Sequence, residues 1–327
     1  MNYLLCSVGR RGELLKNIRQ TVGPASVLVA TDNSPYAPAL YMADKQYIVP
    51  KITAPDYVER LLSICKKENI SAVTTFIDPE IELLSHHRNA FEAIGVEVLA
   101  PYEATAQLCF DKYKMFCFLR EQGIPTVQTW ESCAEFVKDY QAGRVSFPVF
   151  VKPRTGSGSV GARKILTYED LERSTRAEPG LIIQELMDCP DIDADVYVDT
   201  ISHQAVAAFS KKKLETRVGG ASKTVSFKDP MLFECIRKIV SRMKFNGPVD
   251  MDFFYRDGTY YLSEVNPRFG GAYLHAYGAG VDFIKMIENN LRGIQNEPSF
   301  GDYEEGIVMM MYDSVVIIRE SELATQD

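Results

Sequence analysis

The stretch GPVDMDFFYRDGTYYLSEVNPRFGG, Gly247 to Gly271, decides how the rest of the chain is read. It holds two β-rich runs around the break Arg256-Asp257-Gly258, then an acid, an amide and an arginine at Glu264, Asn266 and Arg268. A three-residue hairpin loop with Gly258 in the left-handed region is a common solution for such a break. That loop predicts Tyr255 facing Thr259, Asp252 facing Leu262 and Asp250 facing Glu264. Side chains alternate along a strand, so Asp250, Asp252, Glu264 and Asn266 project from one face, and Met251, Phe253, Tyr261 and Val265 from the other. A two-residue Asp-Gly turn shifts the register by one and sends Asp252 and Glu264 to opposite faces. In the first register, carboxylate and amide oxygens converge as a hard-cation site, the ligand set magnesium prefers.

Outward from the hairpin, the 327 residues suffice for two or three domains, each with a core. The net charge of −8 argues against a polyanion-binding surface and hence against nucleic acid as a partner. Seven cysteines, scattered and without a CxxC pair, suggest reduced thiols in a cytoplasmic protein and argue against a structural zinc site. The chain shows neither a long apolar run nor a basic leader before the strand-like Tyr3–Val8, so a membrane partner is not expected.

Strand-like runs at Asn2–Val8, Val27–Ala30, Tyr47–Val49, Ala72–Phe76 and Val96–Leu99 alternate with helical patterns at Glu13–Gln20, Pro55–Glu68 and Asp78–Phe91. Such alternation predicts a doubly wound parallel sheet over residues 1–108. Its ligand end lies at the strand carboxyl ends, where Arg10 and Arg11 are candidate anchors for an anionic group. Asp32 stands at the distance of a ribose-binding acid, but the glycines of a dinucleotide loop are absent.

From Tyr102 the pattern changes. Helices are expected at Ala104–Cys109, Asp111–Gln122 and Ser132–Gln141, then the strand Phe147–Lys152. A Gly/Ser-rich loop with a strand on either side follows, Pro153 to Gly161; backbone N–H groups in such a loop suit phosphate oxygens. Beyond residue 187, alternating strands are expected at Asp193–Asp199, Ala205–Lys213 and Gly220–Phe227. A helix follows at Pro230–Met243, then the hairpin and a helix about Asp282–Leu291. Late strands are expected at Ile307–Tyr312 and Ser314–Ile318.

In this order the pieces resemble the ATP-grasp superfamily. The likeness rests on Asp111-Lys112 at a helix start, FPVFVKP ending at Lys152 and Pro153, the glycine flap 155–161, IIQELM at 182–187, and EVNPRFGG at 264–271. With the loop Ser7-Val8-Gly9-Arg10-Arg11 ahead of them, they are most similar to one ATP-grasp unit of the carbamoyl-phosphate synthetase large chain. The implied fold is α/β and α+β. It comprises a doubly wound, Rossmann-like pre-ATP-grasp domain (1–108), a small lobe with the phosphate flap (109–186) and a large lobe with the metal site (187–327).

The resemblance implies roles for particular residues. Lys112 and Lys152 reach the ATP phosphates, Lys152 also lying close to the adenine, and Thr155, Gly156, Ser157 and Gly158 belong to the flap. Gln184, Glu185, Leu186 and Met187 match the linker that recognises adenine, and Asp193 the position that holds the ribose. Asp252, Glu264 and Asn266 match the metal ligands, for Mg2+ or Mn2+. Arg268 matches the arginine that stabilises the transferring phosphoryl group, with Lys213 and Arg217 as further basic groups. The implied activity is an ATP-dependent ligase joining a small carboxylate to an amine through an acyl phosphate; the alternatives are a carbamoyl-phosphate synthetase component acting on bicarbonate or carbamate and a non-catalytic ATP sensor or scaffold. A homo-oligomer is compatible with all three.

Overall fold

The computed structural model describes residues 1–156, 160–217 and 220–325. The N-terminal strands β1 (Asn2–Cys6), β2 (Val27–Asp32), β3 (Lys45–Ile48), β4 (Ala72–Thr75) and β5 (Glu97–Val98) form a sheet in the order β3-β2-β1-β4-β5. All its pairs are parallel. Period-two alternation along β1 divides the side chains between two cores. Leu4 and Cys6 face one with Tyr57 and Leu61 of the helix Tyr57–Glu68, while Tyr3 and Leu5 face another shared with the C-terminal part of the chain. The expected doubly wound unit is therefore present, docked by one face onto the remainder. Asp32 accepts the backbone N–H groups of Gly9, at 2.9 Å, and Ser34, at 3.1 Å, and so fixes the first loop.

The small lobe carries β6 (Thr129–Trp130), β7 (Val149–Pro153), β8 (Arg163–Ile165) and β9 (Leu181–Glu185) in the antiparallel order β6-β9-β7-β8. Its core is built from Trp130, Phe136, Val149, Val151, Leu171 and Ile183. The preceding helix Lys112–Glu121 packs Met115 and Leu119 into the main core instead. Its first residue is held by Asp111, whose carboxylate accepts the N–H groups of Tyr113 and Lys114, a cap worth about 1 kcal/mol.

The large lobe holds β10 (Asp191–Val198), β11 (Ala205–Arg217), β12 (Gly220–Phe227), β13 (Gly247–Arg256), β14 (Thr259–Asn266), β15 (Ser299–Phe300) and β16 (Val308–Met310). They run β14-β13-β10-β11-β12-β16, with β15 beside β11. One face buries Ile192, Ala194 and Val196 of β10 with Met251 and Phe253 of β13. The expected strand Ser314–Ile318 does not form. Met311 N–H still bonds Ser222 O, at 2.9 Å, but β12 begins at Gly220, so the chain beyond runs out of partner strand whatever its β propensity.

The hairpin register differs from the expected one. Arg256 pairs with Thr259 around a two-residue Asp257-Gly258 turn, and Tyr255 pairs with Tyr260. Positive φ at both turn residues, 50° and 78°, matches the mirror-image turn that suits strand twist. Phe253 then pairs with Leu262 and Asp252 with Glu264, so Ser263 is the extra residue of a β-bulge. The bulge resets the parity: Asp252 faces Glu264 and Asp250 faces Asn266, not Leu262 and Glu264. Tyr261 consequently pairs with Phe254 rather than entering the core, where Leu262 sits instead.

The segments joining the lobes run beside this hairpin. Leu262 N–H bonds Pro125 O at 3.0 Å, and Leu262 O accepts from Thr126 Oγ1 at 2.8 Å. At the other end Tyr255 N–H bonds Pro190 O at 3.1 Å, and Arg256 pairs with Glu185 at 3.2 Å.

Candidate functional site

A cleft of about 460 Å³ opens between the two sheets, with Phe150, Lys152 and Ala162 on the small-lobe side and Asp191, Asp252 and Glu264 on the large-lobe side. Lys112, Thr155 and Gly156 border it as well, as does Lys213. The floor follows from strand alternation. Asp191, Asp193 and Asp195 lie two apart on β10, and the pairing sets Asp193 beside Asp252 and Asp195 beside Asp250. Across β10 on its other side, Lys211 pairs with Asp193. One sheet face thus carries acids from three strands and two lysines from a fourth.

The lysines divide the acids into two groups. Lys213 bridges Asp252 and Asp191, the latter at 2.9 Å, within the cleft. Burial would lower its pKa, but these carboxylates outweigh that and raise it. Deeper, fully buried Lys211 lies against Asp195 and 3.2 Å from Asp193. Burial pushes the Asp250 carboxyl well up, and Asp193 beside it adds to the effect. Asp252 is raised to about 6, first by burial, with Lys213 pulling the other way. Lys152 is lowered by burial, opposed by Glu264.

Asp252 and Glu264 stand directly opposite each other with Asn266 on the same face. Two carboxylates and an amide make a hard oxygen set of the kind magnesium takes. Ammonium groups already lie against it: Lys213 on Asp252, and Lys112 at 3.5 Å from Glu264. The Asn266 Nδ2 is 3.4 Å from Asp250 and 3.5 Å from Asp252, and a half-turn of the amide presents its oxygen there instead. The donor set fits a divalent cation.

Arg268 leaves β14 toward the N-terminal domain. Its guanidinium grips Asp78 in a two-pronged pair at 2.7 and 3.2 Å and lies 3.9 Å from Asp250. Burial would depress Arg268, but Asp78 and Asp250 more than compensate. Arg11 donates to Gly270 O at 3.2 Å. Burial, with Arg268 nearby, lowers it to about 10. The two arginines therefore share one buried acidic surround at the junction of N-terminal domain and large lobe. Gly270 is obligatory there, because a Cβ would come within 2.5 Å of Asp195 Oδ1 and 2.9 Å of Asp250 Oδ1.

Several expected site residues lie elsewhere. Arg10 is exposed and reaches Asp313, as does Arg217, at 3.6 and 3.2 Å. Neither the local sequence around Arg10 nor the family resemblance that implies Arg217 reveals an acid so far along the chain. Asp193 is enclosed with Lys211 and does not line the cleft; Asp191, two residues earlier on the same face, does. Gln184 donates to Thr129 Oγ1 at 2.8 Å inside the small-lobe sheet, and the Glu185 side chain is held by Arg256. Leu186 and buried Met187 follow in the linker to β10. Ser157 and Gly158 lie outside the described residues. Asp191 and Asp195 carry no role in the sequence expectations, although the x-Asp-x-Asp alternation of β10 is a legible signal for them.

With this geometry in place, the comparisons are informative. Residues 109–272 match the model of the ATP-grasp domain. The chain belongs to the ATP-grasp family. Residues 3–99 of this ATP-grasp protein match the model of a PylC-like N-terminal domain. The 3-methyl-D-ornithine–L-lysine ligase of Methanosarcina acetivorans is 26% identical over 262 residues, covering 80% of this chain and 66% of that ligase's length. The carbamoyl phosphate synthase large chain of Thermoplasma acidophilum is 23% identical over 247 residues, 69% of this chain and 23% of that enzyme. In fold, N5-carboxyaminoimidazole synthetase from Staphylococcus aureus, solved with ADP, superposes with a TM-score of 0.76 at 17% identity, covering 94% of this chain and 81% of that one. Among the described residues, no helix of this ATP-grasp protein is long and apolar enough to cross a membrane.

Proposed function

We propose that this protein is an ATP- and magnesium-dependent ligase that phosphorylates a small carboxylate and joins the acyl phosphate to an amine. The observation that carries the reading is the pairing of Asp252 with Glu264 at a cleft whose other wall presents Lys152, with Lys112 at its border. Cations on one wall and metal-ligating acids on the other are what a polyphosphate requires. The relatives named as ligases support the same chemistry.

In this reading Lys112 and Lys152 hold the ATP phosphates, and Asp252, Glu264 and Asn266 hold magnesium. When bound, magnesium neutralises phosphate charge. An acceptor carboxylate oxygen attacks the γ-phosphorus, the bond to the ADP oxygen breaks, and the amine then displaces phosphate from the acyl carbon. Arg11 and Arg268 are the candidate anchors for the acceptor carboxylate, Arg268 exchanging its Asp78 partner for it. The rest is positioning, which can supply several kcal/mol of the barrier.

ADP release, measured across amino acids, bicarbonate and amines, tests the proposal. Asp252→Ala and Glu264→Ala should each lower magnesium-dependent turnover by at least about a hundredfold, since even partners behind a metal ligand cost 10–100-fold. Wild-type turnover in both would overturn the metal assignment. ADP release with bicarbonate and ammonia alone would move the reading to carbamoyl-phosphate chemistry.

A further inference from the structure

Between β16 and the short turn Glu320–Glu322 the chain crosses from the large lobe to the N-terminal domain as an extended strap, YDSVVIIRE over residues 312–320. It is pinned at its two ends. Met311 N–H bonds Ser222 O, Asp313 meets Arg10 and Arg217, and Ala324 N–H reaches the Tyr41 hydroxyl at 3.3 Å. Yet its apolar side chains point to solvent: Tyr312 is 83% exposed, Val315 79% and Ile317 89%. An extended, β-prone, hydrophobic segment without lysine or proline is what soluble proteins ordinarily avoid exposing unless something covers it.

We propose that the strap is the contact surface for a second copy of this chain, paired antiparallel about a two-fold axis through Val316. The charges of the strap select this partner and register. Centring on Val316 sets Asp313 opposite the partner's Arg319 and, by symmetry, Arg319 opposite the partner's Asp313. Val315 then meets the partner's Ile317, so the aliphatic row closes on itself. Parallel in-register pairing would oppose like charges at both positions. An isologous two-fold contact requires such self-complementarity, and strand addition supplies main-chain hydrogen bonds. The Arg10 and Arg217 pairs with Asp313 keep the strap in register on each copy, and their exposure leaves them weak enough to share the acid.

Sedimentation velocity of the full chain over roughly 1–300 µM tests this, a range suited to an interface near the lower size limit. The expected result is a concentration-dependent dimer that Ile317→Lys abolishes without changing the circular dichroism or melting of the monomer. Asp313→Arg and Arg319→Asp should each weaken dimerisation roughly tenfold by opposing like charges across two symmetric sites. An equimolar mixture of these two variants should recover it, because every cross-copy pair is then opposite in sign. A wild-type monomer throughout, a dimer indifferent to Ile317→Lys, or a mixture no tighter than either variant alone would each overturn the proposal.

Discussion

Lys211 is the residue on which the buried half of the acidic face depends. It is fully enclosed and pairs with Asp195 and Asp193, while burial and the neighbouring acids push the Asp250 carboxyl well up. Lys211→Met should cost about 3–5 kcal/mol, the usual penalty for leaving a buried charge without its partner, read as a lower urea midpoint. A change below about 1 kcal/mol would mean that water or protonation replaces the lysine without strain. His275 offers a second test. Its ring contacts Thr224 Oγ1 at 2.8 Å and Ile307 O at 3.0 Å, with Lys211 and Asp193 nearby. Burial, reinforced by Lys211, lowers its pKa to about 4, against about 6.5 in an unfolded chain. Between those values the unfolded state binds more protons, so the stabilisation is complete above pH 6.5 and disappears as pH falls toward 4. His275→Gln should therefore flatten the stability curve in that window, narrowing its gap to wild type on acidification; parallel curves would refute it. At this scale the sequence revealed which residues carry charge, but not their partners. Asp191, Asp193 and Asp195 share a strand face by alternation, and only the placement of Lys211 decides that the last two are withdrawn from the cleft.

The hairpin shows how an element can be legible in outcome and not in construction. A three-residue loop and a two-residue turn followed by one bulge both leave Asp252 and Glu264 on one face, because the loop takes one residue from the first strand and the bulge adds one to the second, which gives the same parity. They differ in the stretch between, where Tyr261 and Leu262 exchange faces. Local sequence does not distinguish them; the fit of Leu262 beside Phe253 in the core does. Deletions make the difference measurable. Removing Ser263 erases the bulge but keeps Phe253 opposite Leu262 and Asp252 opposite Glu264, so stability should remain within about 1 kcal/mol and the cleft should still bind MgADP. Removing Thr259 also restores a regular ladder, but turns Leu262 out of the core, which should cost about 2–5 kcal/mol. Equal losses in urea denaturation would mean that the bulge itself, not the side-chain faces, is what matters. Elsewhere the elements followed their patterns: β1 alternates between two cores as its sequence does. The missing strand at Ser314–Ile318 has the right side chains but, among the described residues, no paired neighbouring strand.

At the scale of the molecule, the cleft exists only where two sheets from different lobes meet, so a ligand that bridges them reports on the whole arrangement. MgADP at a hundred times its Kd should stabilise the protein by about 2.7 kcal/mol, visible as a rise in melting temperature. Lys152→Met should remove most of that gain while leaving the ligand-free protein nearly unchanged, since it relieves a buried ammonium; an undiminished gain would exclude Lys152 from the phosphate site. The three-part order of the chain was legible because each part has its own period and its own motif. The junction between N-terminal domain and large lobe was not, since Arg268 meets Asp78 across 190 residues of sequence. The two connections of the small lobe add a mechanical consequence. One is fastened at Leu262, next to the bulge, and the other at Tyr255 and Arg256, next to the turn. Both fastenings thus grip the turn half of the hairpin, on the turn side of the Asp252–Glu264 pair, so any displacement of the small lobe would pull on the strand pair that carries these two acids.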